Sequence, residues 1–302
     1  MTPTCPACTS TRVRLSHRST RNRLTAGTCQ ACGLRFILER LSAAQQSALY
    51  QNPETYRHFV EAERSVDALS GRQRGWARQL SRAIQPAAFT EAHRRRPRLL
   101  DIGCGAGDFL VVARDEGFDG SGLEISAAAG ALAKEFHQLD VQVGDYRSNQ
   151  QFGYYEAVTM IGVLEHVLDP VDLVQHAGRL LTPGGVLLIY TPVWGVYDRM
   201  TSWVARVSNS RWSQFIDRRI NAAHLQIFPQ ETLRVLLEAQ GLSVQESRRV
   251  CEYNLPVGNY LRSMSIGAGT LGRIATAAVG GLIDRNLFFR NNQRVLAAKR
   301  AG

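Results

Sequence analysis

The sequence contains little lysine, no long uninterrupted apolar run and no apolar segment near its N-terminus. Residues 1–10, MTPTCPACTS, lack the apolar core of a secretory signal peptide, so we expect a cytoplasmic protein. The best membrane candidate, 264–283, contains several glycines and Arg273. An arginine at the bilayer centre costs roughly 3 kcal/mol. We therefore expect an interfacial or capping helix there, which contacts a membrane only at its surface.

The basic charge is concentrated in the first third of the chain and comes from arginine. Residues 1–98 hold 17 arginines against 6 acidic residues, a formal charge of +11, whereas the remaining residues hold 19 basic and 20 acidic side chains. A solvated arginine-rich surface explains this excess. A surface for a polyanion, such as RNA or a phosphorylated substrate, is the alternative. Both interpretations stay open at this point.

Four of the six cysteines form two Cys-x-x-Cys pairs about twenty residues apart, at Cys5, Cys8, Cys29 and Cys32. This spacing is typical of a four-thiolate zinc site, and a glycine after the second pair allows the chain to turn. Disulfides and free thiols are the alternatives, but a chain without a secretory signal does not favour disulfides. Four thiolates leave no coordination position for a substrate, so we expect structural zinc.

Composition and motifs divide the chain into three parts. We expect a zinc ribbon over 1–38, a helical linker or cap over 39–96 and an α/β domain over 97–302. Insertions are expected at 193–223 and 251–286. The first insertion holds three of the four tryptophans, which favours either helix packing or an aromatic lid over an acceptor.

A glycine loop marks the start of the α/β domain. Residues 97–102 form a short apolar strand, and the loop Asp101-Ile-Gly-Cys-Gly-Ala-Gly follows it before a helical stretch. A P-loop would need Gly-Lys-Ser/Thr, which is absent, and the dinucleotide pattern GxGxxG fails because residue 108 is aspartate. An acid that enters the turn suits a cationic ligand better than a pyrophosphate.

The loop DxGxGxG resembles motif I of class I S-adenosylmethionine-dependent methyltransferases. That resemblance implies a Rossmann-like sheet with helices on both faces, in which Asp101 lies near the methionine ammonium. Glu124, which ends a second strand 23 residues later, can accept from both ribose hydroxyls. Asp145, which ends a third strand, is expected near the adenine amino group, while a fourth strand lies within 154–170 and a fifth within 180–192. The expected cofactor-binding residues are Asp101, Gly103, Cys104, Gly105, Gly107, Glu124, Ile125, Asp145, Tyr146, Ile161 and Glu165.

Two further segments extend the resemblance. The cysteine pairs followed by RFILERLSAAQQSALYQNPETY look like the N-terminal region of bacterial methyltransferases that carry a zinc ribbon before the catalytic domain. HLQIFPQETLRVLLEAQGLSV, at 224–244, is similar to the segment that opens the last helix in the same group. The segment Leu-Glu165-His166-Val is similar to ubiquinone-biosynthesis O-methyltransferases, in which nearby acids and the histidine can hold a divalent ion. The first acidic position of that set is Gly162 here, which argues against a metal-assisted mechanism.

Two histidines are candidates for a catalytic base. His166 follows the fourth strand beside the expected methyl donor, and His224 enters the last helix from the variable insertion. A hydroxyl or carbon acceptor benefits from such a base, whereas a neutral amine does not need one. A structural role is the alternative for both histidines.

Three classes of function remain open from the sequence. The first is methyl transfer to a small-molecule or glycan-precursor acceptor, at a hydroxyl group, with the ribbon and the arginine surface shaping an acidic substrate site or a homodimer. The second is an RNA methyltransferase that docks RNA on the ribbon and the basic N-terminal third. The third is a non-enzymatic zinc-ribbon module, against which the intact set of loop glycines and acids argues. The sequence favours the first class.

Overall fold

The computed structural model describes two β-sheets and the helices that pack on them. The described residues are 3–18, 23–39, 42–51, 67–84, 96–207, 224–251, 274, 277–278 and 290–300. Within them the strands are β1 Val13–Arg18, β2 Thr25–Cys29, β3 Arg35–Ile37, β4 Arg98–Ile102, β5 Asp119–Glu124, β6 Gln142–Val143, β7 Tyr155–Ile161, β8 Leu181–Pro192, β9 Gln226–Ile227, β10 Leu242–Val250 and β11 Asn292–Lys299. The α-helices are α1 Ala43–Tyr50, α2 Asp67–Ala83, α3 Asp108–Asp115, α4 Ala127–His137, α5 Pro170–Leu180, α6 Val196–Val207 and α7 Gln230–Ala239.

The larger sheet has the order β10-β11-β8-β7-β4-β5-β6. Its members from β8 to β6 are parallel, and β11 runs antiparallel between β8 and β10. Parallel neighbours need crossover connections, which α3, α4 and α5 supply. One apolar cluster joins α5 and α7 to the sheet, and a second joins α2, α3 and α4 to it. The structure confirms the predicted Rossmann-like sheet with helices on both faces.

Two predicted strands differ from the observed ones. The segment VQVGD forms pairs only over Gln142–Val143, because β6 is a short edge strand beside the end of β5. Within the range predicted for the fifth strand, 180–192, the Pro-Gly-Gly stretch at 183–185 lies in a bulge of β8. The partner of Tyr155 is Leu181 and that of Ala157 is Val186, so residues 182–185 loop out of the ladder. Gly184 lies there with φ +74°, a conformation that glycine adopts without steric cost.

The segment over 39–96 contributes two helices to the described structure. A capping box between Ser42 and Gln45 begins α1, as expected where serine precedes a helix and glutamine follows three residues later. Trp76 and Leu80 of α2 are buried in the cluster with α3. Pro86 and most of the arginine cluster before β4 lie outside the described residues.

The cysteine-bearing strands form a second sheet, with the order β1-β2-β3-β9. Strand β9 comes from the C-terminal half of the chain, so this small sheet is completed by the α/β domain. Leu34 and Phe36 of the ribbon are buried in the same apolar cluster as Phe228, and the hydroxyl of Thr232 donates to the carbonyl of Cys32. The ribbon therefore shares its core with the larger sheet.

The two predicted insertions are described only in part. Val193, Trp194, Gly195 and helix α6 represent the first, while 208–223 lie outside the described residues, with the third tryptophan of the insertion. Arg35 of the ribbon stacks on the ring of Trp194 at 3.7 Å, so this tryptophan packs against the ribbon. Of the second insertion, 252–273, 275–276 and 279–286 lie outside the described residues. Within the described part of the chain, no helix is both long and apolar enough to cross a membrane.

Candidate active site

The glycine loop joins the end of β4 to the start of α3. Gly103, Gly105 and Gly107 have φ values of +71°, +56° and +84°, which L-residues with a side chain rarely adopt. The N–H of Gly103 donates to the carbonyl of Leu123 at 2.7 Å, so the loop is held against the end of β5. The three predicted glycines therefore form one tight turn beside two strand ends.

Two of these glycines also face protein side chains. A Cβ on Gly103 would lie 2.5 Å from Cγ2 of Val163, and a Cβ on Gly107 would lie 2.5 Å from Cδ1 of Leu139. Sequence reasoning assigned the glycines to close approach by a ligand. The structure adds that a side chain at Gly103 or Gly107 would force Val163 or Leu139 to shift, even without a ligand.

Two buried carboxylates lie at neighbouring strand ends. Asp101 accepts from the hydroxyl of Thr159 at 2.6 Å, and Glu124 accepts from the backbone N–H groups of Gly105 and Ser126 at 2.9 and 2.8 Å. Burial raises the pKa of Asp101 to about 7, and burial also raises the pKa of Glu124. Within the described part of the chain, neither carboxylate pairs with lysine or arginine. A cationic ligand would offset the cost of their burial.

The other predicted cofactor residues surround this point to different degrees. Asp145 caps a short 3-10 turn by accepting from the N–H of Arg147 at 3.0 Å, and the Tyr146 hydroxyl donates to Asp172 at 2.6 Å. Both are thus engaged with protein groups. Cys104 is buried and Ile125 is partly exposed at the end of β5, while Ile161 ends β7.

Tyr50 is a site residue that sequence reasoning missed. Its carbonyl accepts from the Ser126 hydroxyl at 2.6 Å, which places the end of α1 over the end of β5. Its ring meets the His166 ring edge-on at 6.0 Å between centroids. The Tyr50 hydroxyl is buried without a hydrogen-bond partner in the described part of the chain. Burial and the nearby charges of Glu165 and Glu124 raise its pKa. No local motif marks this tyrosine.

The two candidate histidines meet beside Glu165. The His166 and His224 rings lie 4.9 Å apart at an angle of 66°, and the potential ligand atoms of Glu165, His166 and His224 all lie within 4.8 Å of one another. Glu165 also accepts from the hydroxyl of Thr191 at 2.9 Å. Gly162 lies nearby: a Cβ there would be 3.8 Å from Glu165 Oε1. His224, from a distant part of the chain, thus supplies a third polar group where the related motif has an acid.

The four ribbon cysteines also meet in space. Their potential ligand atoms lie within 4.8 Å of one another, with Cys5 Sγ 3.7 Å from Cys32 Sγ and Cys8 Sγ 3.5 Å from Cys29 Sγ. A tetrahedral zinc ion with Zn–S bonds of about 2.3 Å sets its sulfur atoms about 3.8 Å apart. All four are free thiols, and the hydrogen bond with Cys32 lowers the pKa of Cys5 to about 5. The cluster fits a zinc ion.

A parallel sheet with an acid and three glycines at the end of its first strand defines a Rossmann-like domain for a nucleotide-like ligand. The two buried carboxylates specify a cationic one. A family model described as a methyltransferase domain matches residues 69–247, which is more than half of the chain. The chain therefore belongs to this methyltransferase family.

The individual relatives are more distant. A ubiquinone biosynthesis O-methyltransferase from Pseudomonas aeruginosa is 33% identical over 102 residues, which covers 31% of this chain and 44% of the relative. The same enzyme from Pectobacterium atrosepticum is 34% identical, with 31% and 42% covered. The match thus spans less than half the length of these relatives. A putative sarcosine dimethylglycine methyltransferase from Galdieria sulphuraria has the same fold, with a TM-score of 0.50 and 16% identity over 76% of this chain and 86% of that one.

The packing around the glycine loop leads to a stability prediction. Gly103→Ala should lower the free energy of unfolding by about 2–5 kcal/mol, because a left-handed alanine costs roughly 1–2 kcal/mol and the contact with Val163 adds an overpacking term. Urea denaturation measures this loss, and calorimetry should show weaker cofactor binding.

Gly153→Ala is the matched control. Gly153 has φ +65°, and nothing lies within 4 Å of its Cβ position. Gly153→Ala should lower the free energy of unfolding by only about 1–2 kcal/mol, the cost of a left-handed alanine, and should keep its cofactor affinity. Equal losses in the two variants would show that Val163 does not restrict the loop.

Proposed function

We propose that the protein transfers the methyl group of S-adenosylmethionine to a hydroxyl group of a small-molecule or glycan-precursor acceptor. The observation that supports this proposal is the meeting of His166, His224 and Glu165 beyond the end of β7. A pair of imidazoles with an adjacent carboxylate is suited to take a proton from a hydroxyl nucleophile.

The cofactor position is inferred from the two buried acids. Asp101 is proposed to face the methionine ammonium and Glu124 the ribose hydroxyls, while Asp145 lies on the adenine side. The glycine loop, Cys104, Ile125, Tyr146 and Ile161 are proposed to line the remaining contacts. The Tyr50 hydroxyl is buried near both Glu124 and Glu165, and we propose that it donates a hydrogen bond to the cofactor. The bound cofactor supplies a sulfonium-activated methyl group, the electrophile of the reaction.

The acceptor side is inferred from the histidine pair. His166 is proposed as the base: it accepts the hydroxyl proton on its imidazole, and Glu165, whose Oε1 lies 3.8 Å from His166 Nε2, stabilises the resulting imidazolium. His224 orients the acceptor or takes the same role. Glu165, His166 and His224 also form a donor set of the kind that holds a divalent ion, which would polarise an acceptor oxygen. We favour proton transfer without a metal. Treatment of the protein with a chelator distinguishes this mechanism from the metal-assisted one.

The cysteine cluster is proposed to hold one structural zinc ion. Four thiolates saturate a tetrahedral ion, so this zinc stabilises the ribbon and takes no part in methyl transfer. A homodimer and a cytoplasmic location remain predictions.

One observation favours RNA as an alternative acceptor. Arg12, Arg14 and Arg18 are exposed on or beside β1 of the ribbon, where they present guanidinium groups suited to phosphate oxygens. A screen of cell extract with labelled cofactor separates the alternatives. Label in small-molecule material supports the proposal, and label in nuclease-sensitive material contradicts it.

The raised pKa of Asp101 makes cofactor binding depend on pH. Its pKa of about 7, against the usual 3.8, means that ionisation of the free protein costs stability as the pH rises from about 4 to 7. An ammonium placed beside the carboxyl favours the ionised form. We therefore expect cofactor affinity to rise with pH up to about pH 7 and to level off above it. Binding at pH 6 should release a proton, measured by calorimetry in buffers of different ionisation enthalpy.

Asp101→Asn should abolish this proton release. Release that persists in the variant would assign the titration to another group and remove Asp101 from the ammonium site.

The base assignment is tested in single-turnover methyl transfer. His166→Ala should lower the rate by roughly 10²–10⁴-fold while the cofactor dissociation constant stays nearly unchanged. His224→Ala is the internal comparison, and chelator treatment of the wild type tests the metal alternative. A rate that falls on chelation and recovers with added Mg²⁺, which does not bind the four thiolates of the ribbon, would favour the metal. If neither histidine variant differs from wild type by more than about threefold, an amine acceptor or catalysis by proximity is the better account.

The zinc proposal is tested by elemental analysis. Purified protein should carry one zinc ion per chain, and Cys29→Ser should lower both the zinc content and the melting temperature because structural zinc contributes folding free energy. Cys251→Ser changes a buried cysteine outside the cluster and should keep its zinc. Protein without zinc, or with a Cys5–Cys8 disulfide by mass spectrometry, would contradict the proposal.

A further inference from the structure

Strand β9 lies between the ribbon and the loop that carries His166. On the ribbon side it pairs antiparallel with β3, and the N–H of Ile37 donates to the carbonyl of Leu225 at 2.9 Å. On the other side, the N–H groups of Leu225 and Gln226 donate to the carbonyl of Glu165 at 2.9 and 3.3 Å. His224 lies two residues before this strand, so its position depends on both supports.

Gln226 makes the second support specific. Its side chain is buried, with 1% exposure, and its Nε2 donates to the carbonyls of Leu164 and Val167, both at 2.9 Å. Those two carbonyls flank Glu165 and His166 in the chain. A single buried amide therefore holds both ends of the short segment that contains the proposed base.

The two hydrogen bonds of Gln226 join residues that are about 60 positions apart in the chain. Without the amide, the buried carbonyl of Leu164 and the part-buried carbonyl of Val167 would lose this donor, and a buried unsatisfied group is costly enough to drive a local rearrangement. The segment would then turn its backbone towards water. Because the His166 and His224 rings are only 4.9 Å apart, a shift of about 1 Å changes the geometry on which proton transfer depends.

We propose that Gln226 is a positioning residue, which holds the segment of His166 against the strand of His224, and that the cysteine ribbon supports the opposite edge of that strand. The roles of the two histidines rest on the proposed function; the positioning itself rests on the hydrogen bonds. The ribbon is thus part of the acceptor side of the active site.

The first experiment measures the distance between the two rings directly. The chain has 7 histidines, so ¹³C-histidine labelling gives a simple NMR spectrum, which His166→Asn and His224→Asn assign. Wild-type protein should show a nuclear Overhauser effect between the two rings. Gln226→Met, which keeps the length and removes the donor, should lose it, and its single-turnover rate should fall on the order of 10²-fold at unchanged cofactor affinity.

Gln293→Met is the matched control. Gln293 is also fully buried, and its Nε2 donates to a single carbonyl, that of Phe228, at 2.9 Å. Gln293→Met should lose a comparable hydrogen bond but keep the contact between the His166 and His224 rings and the single-turnover rate. An unchanged ring contact in Gln226→Met, or an equal loss in both variants, would overturn the proposal. Loss of the ring contact without loss of rate would support the positioning role and overturn the base assignment instead.

A second experiment needs no variant and tests the ribbon's part of the proposal, whether or not Gln226→Met folds. Hydrogen exchange is compared in wild-type protein with zinc bound and after chelation. The amides of Leu225 and Gln226 should lose protection on chelation, while those of Thr159 and Ile189 in the central strands keep theirs. Unchanged protection of Leu225 and Gln226 would show that the ribbon does not support β9.

Discussion

The burial of two carboxylates at adjacent strand ends is the constraint around which the active site is arranged. Asp101 and Glu124 lie in a region where ionisation is costly, and the protein offsets that cost only in part, through one hydroxyl and two backbone N–H groups. A bound cation would offset the remaining cost of ionising these two carboxyl groups. The same hydrogen bonds shape the loop, since the N–H of Gly105 can reach Glu124 only when the glycines turn tightly. Ligand charge and loop conformation are therefore set by one group of contacts.

Features that depend on neighbouring residues in the chain could be predicted from the sequence. The strand before Asp101, the turn of three glycines and the acid at the end of β5 each follow from a local pattern. The packing partners could not be predicted in this way. Val163 and Leu139 restrict Gly103 and Gly107 only because the fold brings distant segments beside the loop. Neither the spacing of apolar residues nor a short sequence motif contains information about contacts between distant segments.

The contacts on the acceptor side could not be predicted for the same reason, because they join distant parts of the chain. His166 and His224 could be selected as histidines near expected strand or helix ends, but their contact depends on β9, which is two residues long and has no pattern of its own. In the sequence, Gln226 is a polar residue within an apolar stretch and belongs to no recognisable motif. Its importance is visible only once its amide is seen between two carbonyls. Likewise, Trp194 suggested a lid from composition, whereas the structure pairs it with Arg35, whose pKa burial lowers to about 10.

The attachment of α1 has a consequence for the catalytic cycle. The carbonyl of Tyr50 is tied to the Ser126 hydroxyl, and the side chain of Gln51 donates to the carbonyl of Ile125 at 3.1 Å. These bonds fasten the end of a short helix across the strand end that carries Glu124. The proposed ribose position at Glu124 lies beside these two hydrogen bonds. Release of the spent cofactor from that position would therefore involve the end of α1.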